Sequence, residues 1–389
     1  ALDITANRID TGTGTGTVSI PNELVTIYSG NYWSIVDYAG VYFTKGLTVQ
    51  ENAMLYVSTT LDTVSLAFNP NNCDSIITNN GIISANSLSS TKAPNFNIHG
   101  KEFYNNGELF FAGNGNIADT MTITTTLVQN HGLMQFYHNQ RSSSSVTIGI
   151  GSTIENTGQI CFQNHCFNQK TDITGDGCIT ARGESTIYIS TPLRAISLDQ
   201  SFYLKDELSS LVIYPSKPLT INVYGFGNGN RIGLTQTLKD TTYPKFVYDE
   251  EAGTLILTGT SATNRQTFII GTGYNSELFE VVDNAPLGVT SAKLNSVTYH
   301  GPVPNQVLPA SCQIPCKDPP PFPDESTTTV FTSTWVSTDD EGGTITESGL
   351  ISRVGTSATT ISTFPNPPVW TSTWEETDDG GETVTRSGL

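Results

Sequence analysis

An Asn-x-Gly motif returns along this sequence at nearly constant intervals. The motifs begin at Asn79 (NNGIISA), Asn105 (NNGELFFAG), Asn130 (NHGLMQFYH) and Asn156 (NTGQICFQN). Their spacing is about 25 residues, and a fixed period between 20 and 50 residues indicates a fold in which each repeat stacks on its neighbours. The chain is therefore expected to coil on itself rather than to form a single compact globule.

Apolar residues recur at fixed offsets from the central residue of each repeat. Two degenerate copies, centred on Ala53 and Gly177, extend the series to six. The residues two and four positions after each centre share one face of a strand, because side chains alternate along a strand. Together with the residue four positions before the centre, they make eighteen positions, and all are apolar: Val49, Leu55, Val57, Ile77, Ile83, Ala85, Phe103, Leu109, Phe111, Val128, Met134, Phe136, Ile154, Ile160, Phe162, Ile173, Ile179 and Ala181.

One repeat cannot bury its apolar face alone, whereas a stack of repeats can. We therefore predict an all-β fold in which residues 1–192 form a right-handed parallel β-helix (solenoid) with an N-terminal cap; a β-roll is the alternative. The turns are predicted to use Asn or Gly because a positive φ is expected there. The asparagines either stack as a hydrogen-bonded ladder or serve only as turn formers.

The period fades after about residue 192, and the rest of the chain divides into three parts. Short alternating runs in residues 193–317 predict a small antiparallel β-sandwich that covers the end of the solenoid. Residues 301–316 are expected to lie across this surface, fixed by Cys312 and Cys316. Residues 318–326 (DPPPFPDES) predict a stiff Pro-rich linker, and residues 327–389 an extended, Thr-rich, glycosylated stalk. In that stalk the segment 332–350 is repeated, without gaps, as the segment 371–389.

Composition and charge point to an extracellular β-protein. Only 14% of the residues are charged, and Ser, Thr, Asn and Gly make up much of the remainder. Residues 318–389 carry ten of the eighteen net negative charges, which predicts no nucleic-acid partner. The sequence contains no apolar run of 18 residues, so we predict no membrane span, and we expect the chain to be a mature or trimmed part of something longer.

Six cysteines favour up to three disulfides in an oxidising compartment. Fifteen pairings are possible, and the spacing does not choose among them. Cys161 and Cys166 with His165 match zinc-ligand spacing only weakly, so no metal site is predicted. The disulfide candidates are Cys73, Cys161, Cys166, Cys178, Cys312 and Cys316.

Catalytic residues are not predicted. A polysaccharide lyase or hydrolase on a β-helix would need clustered carboxylates on adjacent coils, and those of the coils share no common offset. They are interpreted as solvated charges, as are the acidic motifs at residues 339–341 and 378–379, which lack the spacing of a calcium loop. His131 and His138 have no nucleophile near them and are interpreted as surface histidines. The coil carboxylates are Glu51, Glu102, Glu108, Glu155, Asp172, Asp176 and Glu184.

Aromatic residues crowd the first 43 positions. Aromatic rings exposed on a sheet can stack on sugars or contact other proteins. The alternative is that these rings form an N-terminal cap that seals the first coil. The candidate binding residues are Tyr32, Trp33, Tyr38 and Tyr42.

Three segments in order resemble a known family: SIPNELVTIYSGNYWSIVD at residues 19–37, the NNGxIxF-type coils, and the TSTW…TDD…G…T…SG repeats. The chain resembles the fungal hyphally regulated (Hyr/Iff-type) cell-wall proteins, adhesin-like wall proteins of Candida yeasts. The resemblance implies a right-handed β-helix followed by a small β-sandwich. It also implies secretion, attachment to wall glucan through a glycosylphosphatidylinositol remnant, and adhesion without an established set of catalytic residues.

These observations together predict a monomeric, non-enzymatic cell-wall adhesin without a cofactor, whose partners are an unknown host, glycan or abiotic surface and the wall glucan. Two alternatives stay open: a polysaccharide lyase or hydrolase, and a structural wall protein without a ligand.

Overall fold

The computed structural model describes residues 1–324 apart from residues 71, 73, 150, 152 and 305, and further strands between residues 328 and 388 as backbone. The chain divides into two compact units, residues 1–322 and 323–389. The acidic motifs at residues 339–341 and 378–379 and the disulfide candidate Cys73 lie outside the described residues.

Three sheets run through the first unit, and successive coils of the chain contribute one strand to each. The predicted parallel β-solenoid is thereby confirmed. Sheet 1 consists of parallel strands in the order Leu2–Ile4, Val25–Ile27, Gly46–Val49, Ile76–Asn79, Glu102–Asn105, Leu127–Asn130, Thr153–Asn156 and Asp172–Thr174.

Sheets 2 and 3 are longer, because later strands join their ends. Sheet 2 contains Arg8–Thr11, Tyr32–Val36, Met54–Ser58, Ile82–Ser87, Glu108–Gly113, Leu133–His138, Gln159–Gln163, Cys178–Arg182, Ser201–Leu204, Thr220–Tyr224, Arg265–Ile269, Thr254–Thr258 and Phe246–Asp249. Sheet 3 contains Thr17–Ile20, Gly40–Phe43, Ala67–Phe68, Asn95–Ile98, Thr120–Ile123, Ser145–Ile148, Cys166–Gln169, Thr186–Ile189, Ser210–Ile213, Arg231–Leu234, Ser296–Tyr299 and Phe279–Val282.

The interior of the solenoid holds all eighteen apolar side chains that the repeat predicted. Each of them is fully buried, and all belong to one continuous core. Phenylalanines at equivalent positions form a column: the ring centroids of Phe111 and Phe136 lie 5.8 Å apart, and those of Phe136 and Phe162 5.3 Å apart. The predicted column is confirmed, and aromatic contacts at these distances add to the stabilisation from burial.

The asparagines of the repeat form the hydrogen-bonded ladder that was one of the two alternatives. The side-chain amide of Asn79 donates to Asn105 Oδ1 at 2.8 Å, that of Asn105 to Asn130 Oδ1 at 2.7 Å, and that of Asn130 to Asn156 Oδ1 at 2.8 Å. All four side chains are fully buried. The ladder satisfies polar groups that would otherwise be costly to bury.

Glycine is required in each Asn-x-Gly motif of the repeat for a different reason from the one predicted. Gly81, Gly107, Gly132 and Gly158 are not among the residues with positive φ, so the expected turn conformation is wrong for them. A Cβ atom on Gly132 would instead lie 2.0 Å from the carbonyl oxygen of Gly107 in the preceding coil, and the other three meet the same obstacle at 2.0–2.2 Å. Close stacking of successive backbones therefore requires glycine here.

We expect Gly132→Ala to destabilise the first unit by about 1–3 kcal/mol or more, because the added methyl group must push two coils apart. His131→Ala is the matched control, since His131 is the exposed residue immediately before it and exposed substitutions usually change stability by under about 0.5 kcal/mol. Urea denaturation of both variants measures the difference. Equal midpoints for the two would show that the coils tolerate a side chain at this position.

Parallel pairing does not stop near residue 192. It continues through Ser210–Ile213 and Arg231–Leu234 in sheet 3 and through Arg265–Ile269 in sheet 2. The antiparallel strands then extend these same two sheets, so a separate β-sandwich at residues 193–317 is not confirmed. The short helices are Ser276–Leu278 and Ala310–Gln313, and among the described residues no helix has the length and hydropathy to cross a membrane.

Residues 306–318, here called the strap, return along the outer face of sheet 2 towards the earlier coils. Two disulfides attach it: Cys178–Cys312 and Cys161–Cys316. Gln159 Nε2 also donates to Ile314 O at 3.2 Å. Cys312 and Cys316 fix this segment as predicted, but they fix it to strands of the solenoid and not across a separate sandwich. Four of the six candidate cysteines are thus paired, whereas Cys166 is buried with a free thiol.

The second unit contains one β-hairpin for each copy of the stalk repeat. Thr328–Thr338 pairs with Thr344–Val354, which also pairs with Ser357–Phe364, and Ser372–Thr377 pairs with Thr383–Gly388. The registers of the two hairpins agree at equivalent positions of the repeat, since Trp335 faces Glu347 and Trp374 faces Arg386. The extended, glycosylated stalk remains a prediction.

Candidate functional site

Trp33, a candidate binding residue, lies in the core of the first coils. Its side chain is fully buried, its indole N–H donates to Asp10 Oδ2 at 2.7 Å, and the Arg8 guanidinium lies 4.8 Å from the ring centroid. Its ring also lies 5.7 Å from that of Phe43 at the head of the aromatic column. In this position Trp33 seals the interior, as expected of a cap, and does not face a ligand.

The three candidate tyrosines are half-buried and lie on different parts of the surface. Tyr32 occupies sheet 2, where it pairs with Met54 of the next coil. Tyr42 occupies sheet 3, where it pairs with Ser19. Tyr38 lies in the turn between these sheets and packs against the core. The structure therefore does not gather them into one patch, and their binding role remains a prediction.

A groove of about 440 Å³ opens beside this region, at the corner between sheets 1 and 2. It is lined by the Asn-Gly turns of successive coils and by the side chains of Glu51, Met54, Ile82 and Glu108. Met54 also accepts a hydrogen bond from the Tyr56 hydroxyl at 3.0 Å. Burial raises the pKa of Tyr56, and the nearby Tyr32 adds to the increase, so this tyrosine stays a neutral donor. Apolar walls with a few polar groups are typical of ligand sites.

The groove also holds the carboxylates of Glu51 and Glu108. Glu108 forms an ion pair with Lys317 of the strap, so its charge is already neutralised by a residue of the same chain. Glu51 is exposed. A glycosidase-type site needs one carboxyl group as acid and one as base or nucleophile. This groove resembles such a site in that two carboxyl groups border it.

Polar side chains form rows along the outer faces of sheets 1 and 3, one residue per coil. On sheet 3, Thr122 Oγ1 donates to Asn97 Oδ1 at 2.8 Å. On sheet 1, Gln129 Nε2 donates to Glu155 Oε2 at 2.6 Å. The sheet 1 row follows the strand register: Thr26, Thr48, Thr78, Tyr104, Gln129 and Glu155. Hydroxyl, amide and carboxylate groups therefore line these two faces.

His138 is not the surface residue that the sequence predicted. Its side chain is fully buried, as is that of His165, and the two rings stack with centroids 3.8 Å apart. His138 Nε2 lies 2.6 Å from Asp119 Oδ2, an oxygen of a side chain that is 1% exposed. His131, in contrast, is exposed as predicted. The signal that could have found the cluster is positional. His138 ends a sheet 2 strand, and Asp119 and His165 lie between a sheet 2 strand and a sheet 3 strand, in successive coils.

Burial sets the charge states around this cluster. It lowers the pKa of His165 well below its usual range, and electrostatic interactions with His138 and Arg141 lower it further. It also raises the pKa of the neighbouring Cys166 thiol. His165 and Cys166 are therefore neutral near pH 7, and Cys166 is not an activated nucleophile.

Comparison with known proteins identifies two matched regions. Residues 1–323 match the family described as "Hyphally regulated cell wall protein N-terminal". Residues 350–388 match the family described as "Hyphally regulated cell wall GPI-anchored protein 1".

Curated relatives from Candida albicans match most of the chain. Cell wall protein IFF9 is 42% identical over 372 residues, which cover 94% of this chain and 39% of that protein. Hyphally regulated cell wall protein 3 is 40% identical over 372 residues, 94% of this chain and 29% of that protein. Cell wall protein RBR3 is 41% identical over 355 residues, 90% and 22% respectively. The chain thus spans about two fifths or less of the length of these relatives.

Proposed function

This chain belongs to the family of hyphally regulated cell wall proteins, and we propose that its solenoid mediates adhesion to host or abiotic surfaces without catalysing a reaction. A location at the cell wall or cell surface follows from the family and its relatives. The observation that carries the proposal is a stiff solenoid whose outer faces present rows of hydroxyl and amide groups beside half-buried tyrosines.

Rigidity favours this role because adhesion needs a surface that keeps its shape under load. The interior column and the asparagine ladder link successive coils, and the two disulfides fix the strap to two of them. A ligand that meets such a face does not have to order it, so little conformational entropy is lost on binding.

We further propose that wall glucan is the partner at the other end of the protein, through a glycosylphosphatidylinositol remnant. The match of residues 350–388 to a family described as GPI-anchored supports this proposal. The Thr-rich repeat, which would be O-glycosylated, would then lie in the sequence between the solenoid and the anchor.

The adhesion proposal is tested with the full chain displayed on yeast cells. We expect Tyr32→Ala/Tyr38→Ala/Tyr42→Ala to lower retention on epithelial cells, glycan arrays or polystyrene by about tenfold on at least one of these, since loss of a few aromatic contacts at about 0.5–1.5 kcal/mol each suffices for that factor. The matched control is Tyr137→Ala/Tyr203→Ala/Tyr224→Ala, which removes three half-buried tyrosines from later coils.

Equal retention of cells displaying the two triple variants would show that Tyr32, Tyr38 and Tyr42 do not contribute to adhesion. Equal retention of cells displaying the chain and cells without it, on every surface, would favour the structural wall protein. Folding of each variant is checked by circular dichroism of the secreted chain.

A polysaccharide lyase or hydrolase is the second candidate, favoured by one observation: Glu51 and Glu108 border the same groove. Incubation of the full chain with pectin, glucan and chitin tests it. Release of reducing ends or unsaturated products that disappears in Glu51→Gln would establish the enzyme and overturn the proposal above.

A further inference from the structure

The Asp119–His138–His165 cluster has the composition and compactness of a metal site. Each residue offers one ligand atom, and these three atoms lie within 4.8 Å of one another. Two imidazoles and one carboxylate are a ligand set that proteins use for Zn²⁺ and related divalent ions. The cluster is separate from the groove and from the polar rows.

Several buried polar atoms of the cluster have no hydrogen-bond partner within the part of the chain that the structure describes. They are both ring nitrogens of His165, Nδ1 of His138 and Oδ1 of Asp119. A buried polar group without a partner costs about 1–3 kcal/mol, and such groups are rare in native proteins. A bound ion would satisfy the free electron pair of His165, which hydrogen bonds within the chain do not.

We propose that Asp119, His138 and His165 bind a divalent transition-metal ion of the Zn²⁺ class, a role that goes beyond the proposed adhesion. The three residues come from three successive coils, so the ion links those coils in the direction of the solenoid axis. Its burial suits a structural ion, because the side chains of His138 and His165 are fully buried and that of Asp119 is 1% exposed. Water is the fourth ligand in this assignment.

The local backbone leaves room for the ligands. Gly113, at the end of a sheet 2 strand, lies against the cluster: a Cβ atom there would be 2.9 Å from Asp119 Oδ2 and 3.3 Å from His138 Cδ2. Zn–N and Zn–O bonds of about 2.0–2.2 Å require the 2.6 Å contact between His138 and Asp119 to open by less than about 1 Å. The Asp119 carboxylate must rotate for that change, and because the two imidazole rings are stacked with centroids 3.8 Å apart, the His165 ring must also turn so that both ring planes point at one ion.

One neighbouring charge opposes a cation. Arg141 interacts electrostatically with His165, but Glu184 interacts with Arg141 in turn and offsets part of its charge. The Asp119 carboxylate is the anionic member of the ligand set and attracts a divalent ion.

The test uses the untagged full chain with its disulfides intact. After dialysis against a chelator, Zn²⁺ is titrated by calorimetry and the bound metal is counted by mass spectrometry; Co²⁺ reports coordination by its visible spectrum. We expect the unaltered chain to bind one equivalent of Zn²⁺ tightly. We expect His165→Gln to weaken the Zn²⁺ affinity at least about 100-fold, because loss of a ligand should cost more than the 10–100-fold that follows loss of a residue hydrogen-bonded to a ligand. His131→Gln changes an exposed histidine in the coil of His138; it is the control and should bind normally.

Less than a tenth of an equivalent of Zn²⁺, Co²⁺, Ni²⁺ or Cu²⁺ in the unaltered chain would overturn the proposal, since a water molecule would then be the missing partner. Equal binding by the unaltered chain and His165→Gln would also overturn it, because the ion would lie elsewhere. If His165→Gln fails to fold, Asp119→Asn replaces it: this variant keeps the shape of the side chain and removes its charge, and the same two outcomes decide.

Discussion

Phe136→Ala is expected to lower the free energy of unfolding of the first unit by about 3–5 kcal/mol. Phe136 lies in the middle of the interior column, between Phe111 and Phe162, and is fully buried. Truncation removes its apolar contacts and leaves a cavity between stacked coils. The hydrogen-bonded ladders on all three sides prevent the coils from closing around that cavity.

The control for this experiment is Tyr137→Ala, which removes a half-buried ring from the opposite face of the same strand. It should cost less than about 1.5 kcal/mol, as expected where the site is open to solvent. Urea denaturation of the full chain, followed by fluorescence and circular dichroism, measures both variants. If Phe136→Ala costs no more than Tyr137→Ala, the interior column is not what stabilises the solenoid.

Removal of both strap disulfides should have the other large effect. The bridges are nested, because Cys178 and Cys312 lie between Cys161 and Cys316 in the sequence. With one bridge intact, the other closes a loop of only about 20 residues and is worth about 3 kcal/mol. Without either, loops of 134 and 155 residues are open, and we expect a total loss of about 8 kcal/mol.

Three variants separate these contributions: Cys161→Ser/Cys316→Ser, Cys178→Ser/Cys312→Ser, and the combination of all four. Cys166→Ala is the control, because its thiol is buried and unbridged. Limited proteolysis should cut the strap only in the fourfold variant. A fourfold variant with the denaturation midpoint of the control would show that the strap contributes little to stability.

Much of the fold was predictable because the repeat is a property of the sequence itself. An apolar side chain such as Phe111 or Ile160 must be buried wherever the chain goes, and a constant period along the chain allows one way to bury them all at once. The ladder from Asn79 to Asn156 was one of two alternatives, since asparagine also favours turns. The reason for the glycines was missed, because a clash with the preceding coil exists only after the coils have stacked.

The candidate site was less accessible from the sequence. Trp33 is a residue type that often binds ligands, but in the first coils its side chain points into the core and is fully buried. His138 and His165 are 27 positions apart and match no short motif, and Asp119 precedes them by another 19 positions. They meet only because successive coils return to the same corner.

The sequence by itself determined the solenoid, its register and its family, since each depends on patterns that recur at a fixed spacing along the chain. Only the tertiary structure decided which cysteines pair, which aromatic rings reach solvent and where the strap lies. Those features depend on contacts between segments that are far apart in the sequence, such as those of Cys161 and Cys316, and no local preference of the chain encodes such a distance.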